Sequence, residues 1–491
     1  MRYLVYIGTV TIFVLLASCS DFLKEYSQDT YYVTSYEDLD ELLVGDCYLP
    51  VQNSGSSSNY GFFIHFLADE LEEQNSYCMA WGGSGVGSLK GDVFGYYTWQ
   101  QRVGQNDAYS GFLAENATWT ETYRLINVAN NIIASVKDVP QNSDEEKIGA
   151  LRVNGEAHFL RATYYFWLAN LYDPLTAATD PAVPIKTEEK VNDIKYSRNT
   201  VQEVYEQVLG DLKIAEECLS QTTHQSIYQA DINAVNLLLS RVYLYMQNWK
   251  LASDYADKVL KANGYLIDLN SRKSYDGFLS KNSKEVLFSM GGNDVPCFLK
   301  YDYQNFRVAH ELYDVYAEND LRKSQWWWKR NTFIGYTKIS FGPGVTGYLD
   351  PETDANYYNV EYNTGWFNQQ CEVSDKFLFR TAEAYLNKAE AAVYLDDEDE
   401  ARKQLNALRE KRYLDGSNYE VTEAGRDLVE VVREERRKEL ALEGHRWFDL
   451  RRYGVCEKYP DSKLLTHNYT YSVLLSIGRS TIKMVPPLGL S

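Results

Sequence analysis

Apolar positions recur at helical spacing along much of the chain. Tyr36 to Val44 reads as a short first helix, and Trp119, Tyr123, Ile126, Ile133 and Val136 form a longer stripe. Ser143 with Glu146 makes a capping box ahead of Ile148, Leu151, Phe159, Ala162, Phe166 and Ala169, and Pro174 closes that helix. Thr200 with Glu203 repeats the box before Val204, Val208, Leu212, Ala215 and Leu219. These spacings predict helices that bury one face.

Two segments predict antiparallel helix pairs. Ile232, Val235, Leu239, Val242 and Met246 are followed by a Gln247-Asn248 turn, then Ala252, Ala256 and Val259, with Gly264 at the end. Leu378, Ala382, Tyr385, Ala389 and Ala392 precede Asp396-Asp397-Glu398 and a return stripe of Ala401, Leu405 and Leu408. Small residues and short turns let such helices pack closely, as in tetratricopeptide-type hairpins. Residues 265–375, rich in Gly, Asn, Tyr and Trp, read as long loops with short strands; Ser54–Asn59 and Gly82–Gly91 are also loops. The expected fold is mainly α, a helical scaffold with a loop-rich face.

The start of the chain belongs to targeting. Met1 and Arg2 precede an apolar run to Leu16 that is shorter than the ~20 residues of a spanning helix. Leu16-Ala17-Ser18-Cys19 has the order of a lipobox, so residues 1–18 read as a lipoprotein signal peptide and Cys19 as the lipidated first residue. Residues 19–30 form a polar tether, and 31–491 a single domain holding the loop-rich insertion. More than one acyl chain anchors stably where a single chain does not.

The net charge of -20, or -21 once Arg2 is removed, disfavours nucleic acid and polyanions and favours a neutral ligand. Catalytic signatures are missing. Gly82 and Gly87 have phosphate-loop spacing, but Ser88 stands where Lys is required, and no nucleophile-elbow, zincin or dinucleotide motif occurs. The six histidines are isolated in sequence. The six cysteines after Cys19 have neither zinc nor redox spacing, which leaves bridges and buried thiols equally open. Asp350, Glu352, Asp354 and Glu361 fit a calcium-loop frame in which Ala355 replaces the turn glycine; the plain reading is a solvated acidic loop, and no cofactor is expected.

Trp326-Trp327-Trp328, flanked by Lys323, Lys329 and Arg330, is the most unusual local feature. Neighbours in a regular element point to different sides, so at least one of the three is expected at the surface. Trp81, Trp99 and Trp366 lie in similar loops, whereas Trp119, Trp167, Trp249 and Trp447 fall on helical stripes and are expected in the core. Loop aromatics offer flat faces on which a neutral sugar can stack.

Arg433-Glu434-Glu435-Arg436-Arg437-Lys438-Glu439-Leu440-Ala441-Leu442-Glu443-Gly444-His445-Arg446-Trp447-Phe448-Asp449-Leu450-Arg451-Arg452-Tyr453-Gly454 closely resembles the C-terminal signature of the SusD/RagB family, nutrient-binding outer-membrane lipoproteins of Bacteroidetes. Phe377–Ala392 and the Cys19-Ser20-Asp21-Phe22-Leu23 start resemble further family stretches. The C-terminal motif reads as structural, with Glu434–Lys438 and Arg436–Glu439 as helical neighbours, Gly444 ending the helix, and Trp447-Phe448 re-entering the core. The Met484-Val485-Pro486-Pro487 end keeps only the start of the family's usual tail.

The resemblance implies four tetratricopeptide-like pairs, a face binding glycan or, in some members, peptide, and action with a SusC-like TonB-dependent outer-membrane transporter at the cell exterior. By loose positional match it points to Asp69, Trp99 and Trp327 as ligand residues. With Trp81, Trp328 and Trp366 these make up the expected loop site. The competing readings are a tetratricopeptide scaffold for protein partners and a lipid-anchored glycoside hydrolase built on a carboxylate pair such as Asp69 and Glu70.

Overall fold

In a computed structural model, the described residues are 33–51, 60–74, 86–100, 117–173, 177–190, 194–271, 278–299, 305–330, 332–338, 372–470 and 479–484. The lipobox, the calcium-loop frame, Trp81 and Trp366 lie outside them.

The first helix, α1 (Tyr36–Leu42), starts from a Ser35 capping box and runs into a π-helical turn, Leu43–Cys47. Three short helices follow: α2 (Ile64–Leu67), α3 (Val86–Asp92) and α4 (Phe94–Tyr97). The long helices come next, α5 (Ala117–Ser135), α6 (Asp144–Tyr172), α7 (Val201–Leu219), α8 (Ile232–Tyr245) and α9 (Trp249–Ala262). Both predicted capping boxes form: Ser143 and Thr200 each accept the N3 amide, while Glu146 and Glu203 reach back to the cap. Val204, Val208, Leu212, Ala215 and Leu219 are all buried. Two stripes are corrected. Ile148 is 49% exposed, and the inner face of α5 is Leu125, Ile126, Ala129 and Ile132, about one position from the expected phase. From Gly155 to Leu171 every residue of α6 is buried, because this helix packs on α5 and α7 and into the core.

After the long helices come α10 (Val295–Leu299), α11 (His310–Asp314) and α12 (Leu321–Gln325). The C-terminal helices are α13 (Thr381–Tyr394), α14 (Glu398–Glu410), α15 (Gly425–Glu439) and α16 (Arg446–Gly454). Leu378 belongs not to a helix, as its spacing suggested, but to a strand directly before α13.

The two predicted hairpins share one turn geometry. Gln247 and Asp396 both adopt positive φ, +57° and +62°. Asn248 N–H donates to the Tyr243 carbonyl and Asp397 N–H to the Ala392 carbonyl, both at 2.9 Å. Asn248 and Asp397 then cap the return helices with their side chains. Helices α5 to α9 each pack on the next, α9 packs on α13, and α13 on α14 and α15.

Among the described residues eight short strands form four antiparallel pairs: β1 (Leu71–Glu73) with β3 (Phe306–Val308), β2 (Val286–Met290) with β6 (Phe377–Arg380), β4 (Trp327–Arg330) with β5 (Phe333–Tyr336), and β7 (Leu465–Thr470) with β8 (Arg479–Met484). The main apolar core joins α2, α5–α8, β2, β6 and α16, and a second one fills the space between α13, α14 and α15.

Candidate functional site

The tryptophan triad is not a surface feature. Trp326, Trp327 and Trp328 are 0%, 3% and 8% exposed. Trp326 caps α12 and packs on Phe278, Trp327 enters β4 and meets Tyr316 and Tyr336, and Trp328 packs on Phe333. Successive residues do point to opposite sides, as expected, but both sides of this ribbon are covered. Trp327 and Trp328 therefore offer no stacking face. Of the helical tryptophans, Trp167 and Trp447 are core, while Trp249, stacked on Tyr394 at 3.9 Å, and Trp119 are only half-buried.

Trp99 does sit at a partly open position. Its backbone is left-handed, φ +49°, and its indole N–H donates to the Leu67 carbonyl at 3.1 Å. One face lies on His467, centroids 4.1 Å apart and planes 20° apart, and His467 lies in turn on Tyr97 at 4.2 Å. The imidazole ring nitrogens meet the carbonyls of Tyr97 and Ala68 at 2.7 and 3.0 Å. Burial, opposed by those two carbonyls and by Asp69, brings its pKa down to about 4. His467 was counted as isolated, yet Leu465, His467 and Tyr469 alternate inward along β7, and that period of two was the available signal.

Asp69 follows α2 and is brought next to this stack by the Ala68–His467 contact. Its carboxylate is not free. Arg446 forks onto both oxygens at 2.7 and 2.9 Å, Lys463 donates at 2.6 Å, and Arg437 stands 2.9 Å away. Burial pushes this carboxyl up, but the three cations outweigh it and hold the pKa well below the usual carboxylate range. The ligand role that the family resemblance implies for Asp69 thus falls on a carboxylate already engaged by three cations. Neighbouring Glu70 is buried, accepts the Leu442 amide at 2.8 Å, and has its pKa raised by that burial.

The charged C-terminal motif turns inward rather than to solvent. Glu434 does meet Lys438, at 3.7 Å. Arg436, however, reaches Asp449 and Asn387 at 2.9 and 2.7 Å instead of Glu439, and Glu439 gathers Arg322, Arg380 and Arg412. Glu439 thus stands at the centre of a buried ion network, with Glu285 and Glu443 completing the acids around Arg380. The helix ends at Glu439, and Gly444 lies beyond it in a turn. There φ is +75°, and an added Cβ would stand 3.2 Å from the Lys376 Cα. Trp447 and Phe448 re-enter the core as expected.

The remaining chemistry is sparse. Cys47, Cys218 and Cys456 are buried free thiols, and no group of three metal-ligating side chains occurs among the described residues.

Comparison with known proteins agrees with this architecture. A SusD-like family model described as starch-binding, associating with outer membrane, matches residues 68–244, and the SusD family model matches 278–473. SusD-like protein P2 of Formosa agariphila is 26% identical over 376 residues, 69% of this chain and 71% of the relative. SusD-like protein P25 of the same organism is 22% identical across 91% of this chain and 89% of its own length. Among solved structures, a SusD-like carbohydrate binding protein from Bacteroides vulgatus aligns with a TM-score of 0.64 at 21% identity, covering 93% of this chain and 90% of the other. A SusD superfamily protein from the same species gives 0.66 at 20% identity, covering 90% and 92%. The two family models between them span both the long-helix half and the charged C-terminal motif, and the chain belongs to the SusD/RagB family.

Proposed function

We propose that the protein is a cell-surface lipoprotein that binds a glycan and delivers it to a SusC-like TonB-dependent transporter without converting it. The observation that carries this reading is the match of residues 68–244 to a model described as starch-binding and associated with the outer membrane. The Bacteroides vulgatus neighbour, itself described as a carbohydrate binding protein, supports the same class. Lipid at Cys19 would supply the anchor; no described helix is long and apolar enough to cross a membrane.

The ligand contact is assigned to Trp99 on its His467–Tyr97 support; Trp81 and Trp366, expected with it from the sequence, lie outside the described residues. An aromatic ring fixed from behind loses little freedom when a sugar stacks on its open side. The hydrolase reading has little to stand on at Asp69 and Glu70, since one is neutralised by cations and the other accepts a backbone amide.

The test is a glycan-array or retardation-gel screen of the mature domain, followed by calorimetry and assay for released sugar. Binding without turnover is expected, and turnover of any bound glycan would establish the enzyme instead. Extraction of native membranes in mild detergent should bring down a TonB-dependent barrel across a specific interface of about 800 Å² or more per partner. A complex with other soluble proteins and no barrel would favour the protein-scaffold reading.

A further inference from the structure

We propose that the ligand carries a negative charge, a uronate carboxylate or a sulfate ester, which seats between Arg437 and Lys463 in the place held here by Glu311. The inference rests on the glycan-binding reading and adds the class of glycan.

The local charges do not follow the acidic whole. Arg446 alone satisfies Asp69 with a two-point fork, the strongest arrangement open to a guanidinium and a carboxylate. Two further cations, Arg437 and Lys463, crowd the same carboxylate. Among the described residues the other acid that meets both is Glu311 on the single-turn helix α11: its Oε1 accepts from Lys463 Nζ and stands 3.4 Å from Arg437 Nη1. The Glu311 side chain is 59% exposed, whereas those of Arg437 and Lys463 are 8% and 27% exposed. An exposed carboxylate held this way contributes little and can turn to water at low cost. Arg437 uses Nη2 for its ion pair with Asp69 and Nη1 for Glu311, so a ligand acid that replaces Glu311 inherits the Nη1 donor.

This seat lies beside the aromatic stack. Ala68, which meets His467, directly precedes Asp69, and Lys463 stands four residues before His467 on the same run. The proposal therefore takes a glycan of several units, one stacked on Trp99 and a charged one at the two cations. At physiological ionic strength, charges farther off than about 8 Å are largely screened, so once Glu311 turns away the local balance is set by Arg446, Arg437 and Lys463 against the single carboxylate of Asp69.

Calorimetry of the full mature protein with oligogalacturonate, its carboxyl-reduced neutral form and a sulfated galactan oligosaccharide tests the proposal. At least one anionic oligosaccharide should bind about tenfold or more tighter than the reduced form, with affinity falling as salt rises. The comparison of the two anionic probes tells carboxylate from sulfate. Lys463→Ala should weaken anionic binding about tenfold while leaving the melting curve near wild type. Glu311→Gln should strengthen it several-fold, because a competing acceptor is removed, and a purely structural role for Glu311 would not do this. Equal affinity for reduced and anionic forms overturns the charge inference and leaves the glycan reading standing. Weaker anionic binding by Glu311→Gln overturns the displacement, and failure of all three probes overturns the anionic class, the glycan reading then being judged by its own screen.

Discussion

Arg380, the last residue of β6, donates to Glu439, the last residue of α15, at 2.6 Å, with neither side chain exposed at all. Arg322 and Arg412 approach the same carboxylate, at 2.9 Å each, so that one acid joins β6, α12 and the end of α14 to the signature helix. Burial opposes its ionisation, but Arg412, Arg380 and Arg322 overcome that and keep its pKa well below the usual range.

Removing this acid should therefore unfold the protein more readily than any surface change in the motif. Glu439→Gln takes a shared counter-charge from three buried guanidinium groups, which keep Glu285, Glu443, Asp320 and Glu435 beside them, a loss of ~1–3 kcal/mol. Glu434→Gln, at an exposed position, should change stability by less than about 0.5 kcal/mol. Urea unfolding of the two variants side by side checks this, and equal midpoints would show that the network carries no net stability.

A second prediction concerns pH. Glu156 is fully buried, and although Arg152 and the Tyr48 hydroxyl favour its ionised form, burial outweighs them and raises its pKa from 4.5 to about 7. A carboxyl with a raised folded-state pKa contributes stability that is fully present below its unfolded pKa and is lost as pH rises through the folded value. Between pH 4.5 and about 7 the native state should thus lose up to ~3 kcal/mol from this group. The difference in unfolding free energy between wild type and Glu156→Gln, measured from pH 4 to pH 8, should show that slope. A pH-independent difference would mean that Glu156 stays ionised.

The tryptophans should divide by burial. Trp99→Ala should cost ~1–3 kcal/mol of glycan binding with the fold retained. Trp327→Ala should cost ~3–5 kcal/mol of stability and affect binding only through unfolding. Calorimetry with melting curves alongside separates the two; wild-type binding by a folded Trp99→Ala would remove the aromatic platform from this face.

Anchoring gives the fourth. Cys19→Ala should leave the protein soluble or unprocessed, as judged by fractionation of cells after a high-salt wash, because a stable anchor needs the acyl chains. Persistence of the variant in the membrane fraction would defeat the lipid-anchor reading, and a wild-type protein spared by protease on intact cells would defeat its outward exposure.

The sequence by itself determined what depends on near neighbours. The Ser143–Glu146 and Thr200–Glu203 caps, the two hairpins with their Gln247 and Asp396 turns, and the helical character of the scaffold are set by hydrogen bonds and apolar spacing within a few residues, and these could be read directly. The family signature was legible too, as a run of residue types. Only the tertiary structure decided which faces are covered and which charges meet. Trp327 and Trp328 are buried because both sides of a small ribbon are packed over, and period alone counts sides without saying what lies on them. Asp69 meets Arg446 across 377 positions of chain, and Arg436 passes over its helical neighbour Glu439 to reach Asp449. In a buried site the strongest partner is the one that the fold brings within hydrogen-bond reach at low dielectric, and separation along the chain carries no information about that.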